Sequence, residues 1–182
     1  MPRAGFAAIV LGLAALSGCS WVPWFSSSAE SGPSAAACPS AVILRPLGQT
    51  AAFAPGAPHQ PTGVAFYGIL SEVEAKCQPA GGAVRASLDV VIVGERGPAA
   101  GKADSLDLQY FVAVTGPDQA VLSKRSFPVR IAIPPDARRA GVTDHIEETI
   151  PLAGRPPGEL SIVLGFQQGP EIVEFYRHFR GR

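Results

Sequence analysis

The sequence predicts an all-β fold, a two-sheet sandwich of about seven strands closed by one C-terminal amphipathic helix. Three observations lead there. From Cys38 onward, stretch after stretch alternates apolar and polar side chains with a period of two, the repeat of a strand that buries one face. The 20 Gly and 18 Pro separate these stretches at turn-like spacing, while only 16% of residues are charged. At the C-terminus the period changes to that of a helix, in Ile172, Phe175, Tyr176 and Phe179.

A short basic start, with Arg3, is followed by an apolar run from Ala4 to Ala15. That run is shorter than the roughly 20 residues a membrane-spanning helix needs, and it ends in the small residues Ser17 and Gly18, as an export signal does. The segment Leu16-Ser17-Gly18-Cys19 resembles a bacterial lipobox. The resemblance implies cleavage between Gly18 and Cys19, a diacylglyceryl group on the Cys19 thiol and acylation of the new amino group. It divides the chain into a lipoprotein signal peptide (1–18), a lipid anchor with a flexible tether (19–37) and a periplasmic domain (38–182).

Trp21, Trp24 and Phe25 follow the anchor cysteine closely, and aromatic rings at that spacing suit headgroup depth in a bilayer. A docking motif for a partner is the rival reading. Ser26 to Ala37, rich in Ser, Ala, Gly and Pro, reads as a tether. Ser20 in place of aspartate after the cysteine resembles lipoproteins sorted to the outer membrane, so the expected location is the periplasm-facing leaflet of that membrane, ahead of the inner membrane.

Without residues 1–18 the chain carries 14 basic and 15 acidic residues, a net charge of −1, which gives no electrostatic footprint for nucleic acid. With Cys19 assigned to lipid, Cys38 and Cys77 remain as a possible disulfide in an oxidising compartment. That bond would close a loop of about 40 residues, worth roughly 4 kcal/mol in the chain-entropy description. Two buried unpaired thiols are the alternative.

Taken in order, Val42-Ile43-Leu44 opens a short strand that Pro46 stops. Gln49 to Thr62, with three prolines, reads as an irregular connection. Ile69, Val73, Ala75 and Cys77 alternate with Glu72, Glu74, Lys76 and Gln78, a half-buried strand ended by Pro79-Ala80-Gly81-Gly82. Val84, Ala86, Leu88, Val90 and Ile92 form the next stripe, and Val91 and Val93 make its end apolar on both faces, as at a sheet centre. A loop over Gly94 to Ser105 precedes Leu106, Leu108, Tyr110, Val112 and Val114; the turn Thr115 to Gln119 then leads to Val121–Ile133. There Ser123 and Arg125 break the stripe and Pro128 removes a ladder donor, the marks of an edge strand or a bulge.

Pro134 to Gly141 reads as one helical turn bearing Arg138 and Arg139. In the next strand Val142, Ile146, Ile150 and Leu152 share a parity with two acids, Asp144 and Glu148. Leu160, Ile162, Leu164 and Phe166 form the last strand. Pro170 opens the helix, with Glu171 and Glu174 early and Arg177 and Arg180 late, as the helix dipole favours. About seven strands with this helix fit an immunoglobulin- or fibronectin type III-like sandwich.

No residue set with the spacing of a catalytic elbow, a phosphate loop, a dinucleotide fingerprint or a metal site is present, so neither catalysis nor a cofactor is expected. His59, His145 and His178 are isolated, and Asp144-His145 with Glu147 and Glu148 is the densest polar cluster. Neighbours on a strand point to opposite faces, which works against their convergence. The expected function is a non-catalytic binding or scaffold module for an envelope protein, held to the membrane by its N-terminal lipid. Phe175, Tyr176 and Phe179 are a possible partner surface. The alternative is a small-molecule, glycan or metal-binding domain using Gly94–Ser105 and Asp144–Glu148.

Overall fold

A computed structural model describes residues 38–179. Cys19, Trp21, Trp24 and Phe25, with the expected signal peptide and tether, lie outside the described residues. Two four-stranded sheets form a sandwich. The first has the order β1 (Ser40–Ile43), β8 (Ser161–Phe166), β5 (Ser105–Thr115), β6 (Val121–Ala132). The second has the order β2 (Gln49–Phe53), β3 (Val64–Pro79), β4 (Ala83–Arg96), β7 (Arg139–Pro151). One helix, α1 (Pro170–His178), closes the described chain. The β1–β8 pair is parallel; the other pairs are antiparallel.

The all-β sandwich is present, with one strand more than expected. β2 lies inside the stretch read as an irregular connection. Its Thr50 and Ala51 are both buried although they point to opposite faces, because the sandwich covers one side and α1 the other. No wet face remains to produce an alternation. The expected helical turn over Pro134–Gly141 is instead a tight turn, closed by the Ala137 amide on the Pro134 carbonyl, that passes into β7 at Arg139.

β3 starts at Val64, and Ser71 is the extra residue of a bulge between Leu70 and Glu72. The bulge shifts the parity of the strand. Phe66, Gly68 and Leu70 therefore share the inner face with Val73, Ala75 and Cys77, and Ile69 points outward. The inner residues of β4 lie opposite them, and Val84, Ala86, Leu88, Val90 and Ile92 are each no more than 1% exposed. β4 is an interior strand, as its two-faced apolar end predicts.

From the facing sheet Leu106, Tyr110, Val112 and Val114 of β5 and Ile162, Leu164 and Phe166 of β8 fill the core. Gly68 and Gly94 are opposite one another in register. A β-carbon at Gly68 would fall 2.5 Å from Leu108 Cδ1, and one at Gly94 would fall 2.7 Å from Ile133 Cδ1. The pair thus makes room for the facing sheet.

The Cys38–Cys77 disulfide forms, with Cα atoms 5.4 Å apart. It ties the chain just ahead of β1 to the inner face of β3 and so joins the two sheets.

Candidate functional site

The elements that build a candidate site are the 3-10 turn Arg45–Leu47, which follows β1, and the C-terminal helix α1. Pro170 fits the first helical position because it needs no amide donor there, and Glu171 lies near the positive end of the helix dipole. Ile172 and Phe175 are buried on the outer face of the second sheet against Ala51, Phe53, Val64 and Tyr67. Phe175 meets Phe53 edge-on at 5.3 Å and Tyr176 at 5.1 Å between ring centroids.

Of the three aromatics read as a possible partner surface, Phe175 is thus turned onto its own domain. Tyr176 is half-buried, and Phe179 remains 41% exposed. Val173, on the other side of the helix, is 45% exposed.

Between α1 and the 3-10 turn Arg45–Leu47 lies a groove of about 560 Å³. Pro46, Leu47 and Val173 supply its apolar surface; Arg45, Arg177, Gln49, Gln168 and Tyr176 supply the polar groups. Gln168 donates from Nε2 to the Gln49 carbonyl at 2.6 Å and so fastens the segment before the helix to the start of β2. Arg177 pairs with Glu174 at 2.9 Å, whereas Arg45 makes no ion pair among the described residues. Burial, with a smaller contribution from nearby Tyr67, pushes the Tyr176 phenol up to about 12.

The polar cluster on β7 is divided by the pleat. Asp144 and Glu148 point inward, where Asp144 accepts from the Tyr110 hydroxyl at 2.7 Å and Glu148 pairs with Arg125 at 2.8 Å. His145 and Glu147 point outward, to Asp89 at 2.5 Å and to the Ser87 hydroxyl respectively. A second concavity lies on that outer face, lined by the polar residues Gln78, Arg85, Ser87, Glu147 and Thr149. Among the described residues no three or more His, Cys, Asp or Glu side chains gather in a way that would hold a metal ion.

The remaining single residues also have local partners. His59 lies on the Phe53 ring at 4.5 Å, and His178 Nδ1 lies 3.3 Å from Glu174. Arg138 and Arg139 both reach Glu95, at 3.2 and 2.6 Å, and their hydrogen bonds, that of Arg139 foremost, hold its carboxyl below the usual range. Arg96 donates to the carbonyls of Gly101, Ala103 and Ile133, which organises the loop after β4. That loop follows Glu95, which is opposite Arg139, while Asp144 is opposite Val90, so the two stretches grouped as a ligand-binding end do not converge.

Compared with known proteins, the chain matches no protein-family model, and no curated protein or solved structure is significantly similar to it. The groove residues Arg45, Leu47, Gln49 and Gln168 escaped sequence reading. Nothing in the local pattern marks them, because the two walls come from opposite ends of the domain.

Proposed function

We propose that this chain is a lipid-anchored lipoprotein of the cell envelope whose sandwich is a non-catalytic binding module for another envelope protein. The supporting observation is the Cys38–Cys77 disulfide, two residues ahead of β1. A disulfide there suits an oxidising compartment, in agreement with the lipobox at Leu16-Ser17-Gly18-Cys19. It also means that a tether from the Cys19 lipid ends on a covalent attachment to β3. The module would thereby bear load transmitted from the membrane without peeling the four-residue strand β1 from β8.

The test is membrane fractionation with crosslinking in intact cells, comparing wild type with Cys19→Ala. Wild type is expected in the outer-membrane fraction with one discrete protein adduct, and Cys19→Ala in the soluble fraction without it. A wild-type protein recovered in the soluble fraction would overturn the anchor. Membrane attachment with no adduct would overturn the binding role.

A further inference from the structure

The groove between α1 and the Arg45–Leu47 turn has more donors than acceptors. Arg45 carries a full fork of N–H groups and makes no ion pair among the described residues; Arg177 offers the part of its fork not held by Glu174; the Tyr176 hydroxyl is a further donor in the lining. Gln168 has one N–H already engaged by Gln49. These donors border the apolar surface of Pro46, Leu47 and half-exposed Val173. A guanidinium beside an aliphatic surface recognises a carboxylate carried next to an apolar side chain. The volume of about 560 Å³ suits a short extended segment and not a folded domain.

We infer that this groove is the docking site for an acidic peptide segment of the envelope partner, with a carboxylate on Arg45 and an aliphatic side chain on Leu47 and Val173. The inference rests on the binding-module reading above. Charge decides the kind of occupant. An anionic bilayer would meet Glu171 and Glu174 on the same helix, both exposed, and Arg177 is already paired with Glu174, so the wider surface has no basic excess to attract it. A single carboxylate needs only the local donors.

The experiment places the photo-crosslinker p-benzoylphenylalanine at position 173 of the full-length lipoprotein in intact cells, with position 121 on β6, 61% exposed, as the control. After irradiation the attached peptide is sequenced by mass spectrometry. An adduct from position 173 and not 121, on a peptide carrying Asp or Glu beside an aliphatic residue, is expected. Arg45→Glu should lower its yield at least tenfold with an unchanged thermal midpoint, and Arg45→Lys should retain most of it.

No adduct from position 173, an adduct to lipid alone, a peptide without acidic residues, or a yield indifferent to Arg45→Glu would each overturn the groove assignment. If wild type still captures its envelope protein in that case, the binding-module reading stands and only the site is wrong. If it captures none, both fall.

Discussion

The hydroxyl of Tyr110 on β5 donates a 2.7 Å hydrogen bond across the sandwich to Oδ2 of Asp144 on β7. Tyr110 is fully buried, and its ring stacks on Phe127 of the neighbouring strand at 5.6 Å. The bond answers an inward-pointing acid on an edge strand, and the Arg125–Glu148 pair answers the second one. Inward acids of this kind hinder pairing of an exposed strand with another chain, since a partner strand would have to share an apolar face that is not there. The same two bonds join the sheets along their open side.

Tyr110→Phe removes the donor and leaves the Asp144 carboxylate facing the core rim. A loss of about 1 to 3 kcal/mol is expected from equilibrium urea unfolding.

Stability should also fall in alkali. Burial and then the hydrogen bond to Asp144 hold the Tyr110 phenol far above its ordinary value of 10.0, and burial pushes Tyr176 up to about 12. Groups raised in the folded state contribute stability that is complete below the unfolded value and is lost as pH rises through the folded one. Unfolding free energy should therefore decline from about pH 10 upward, and less steeply in Tyr110→Phe; a pH series of urea midpoints checks this.

Glu148→Val replaces an inward acid on β7 with an apolar side chain and leaves Arg125 at the surface. The expected outcome is a domain that associates through its edge, read as a concentration-dependent mass by light scattering. A strictly monomeric variant would show that Glu148 has no such guarding role.

Breaking the Cys38–Cys77 bond, by reductant or by Cys77→Ser, should lower the thermal midpoint. The two residues are 39 positions apart, so the loss is on the order of 4 kcal/mol in the chain-entropy description. An unchanged midpoint under reductant would remove the disulfide from the stabilising interactions.

On α1 two aromatics should behave differently. Phe175 is 4% exposed and Phe179 is 41% exposed. Phe175→Ala is expected to cost about 3 kcal/mol and to loosen the helix, while Phe179→Ala should stay within about 0.5 kcal/mol. Circular dichroism with denaturant titration distinguishes them.

The stripes Val84 to Ile92, Leu106 to Val114 and Leu160 to Phe166 are legible in the chain because each strand has one wet face or is apolar throughout, and side-chain alternation reports that directly. The helical period of Ile172, Phe175, Tyr176 and Phe179 and the pairing of the two domain cysteines are legible for the same local or arithmetical reasons. The short strand Gln49–Phe53 is not, because α1, joining the domain more than 100 positions later, covers the face that would otherwise be polar. Nor is the parity shift at Ser71, since a bulge is defined by the register of two strands and not by either alone. Asp144 and Glu148 look like faults in a stripe until Tyr110 and Arg125 arrive from the opposite sheet to meet them. The groove is a matter of tertiary structure entirely: Arg45 and Arg177 come together only when the first turn and the last helix pack at one edge of the sandwich, an outcome set by burial of Ile172 and Phe175 that no local pattern around Arg45 contains.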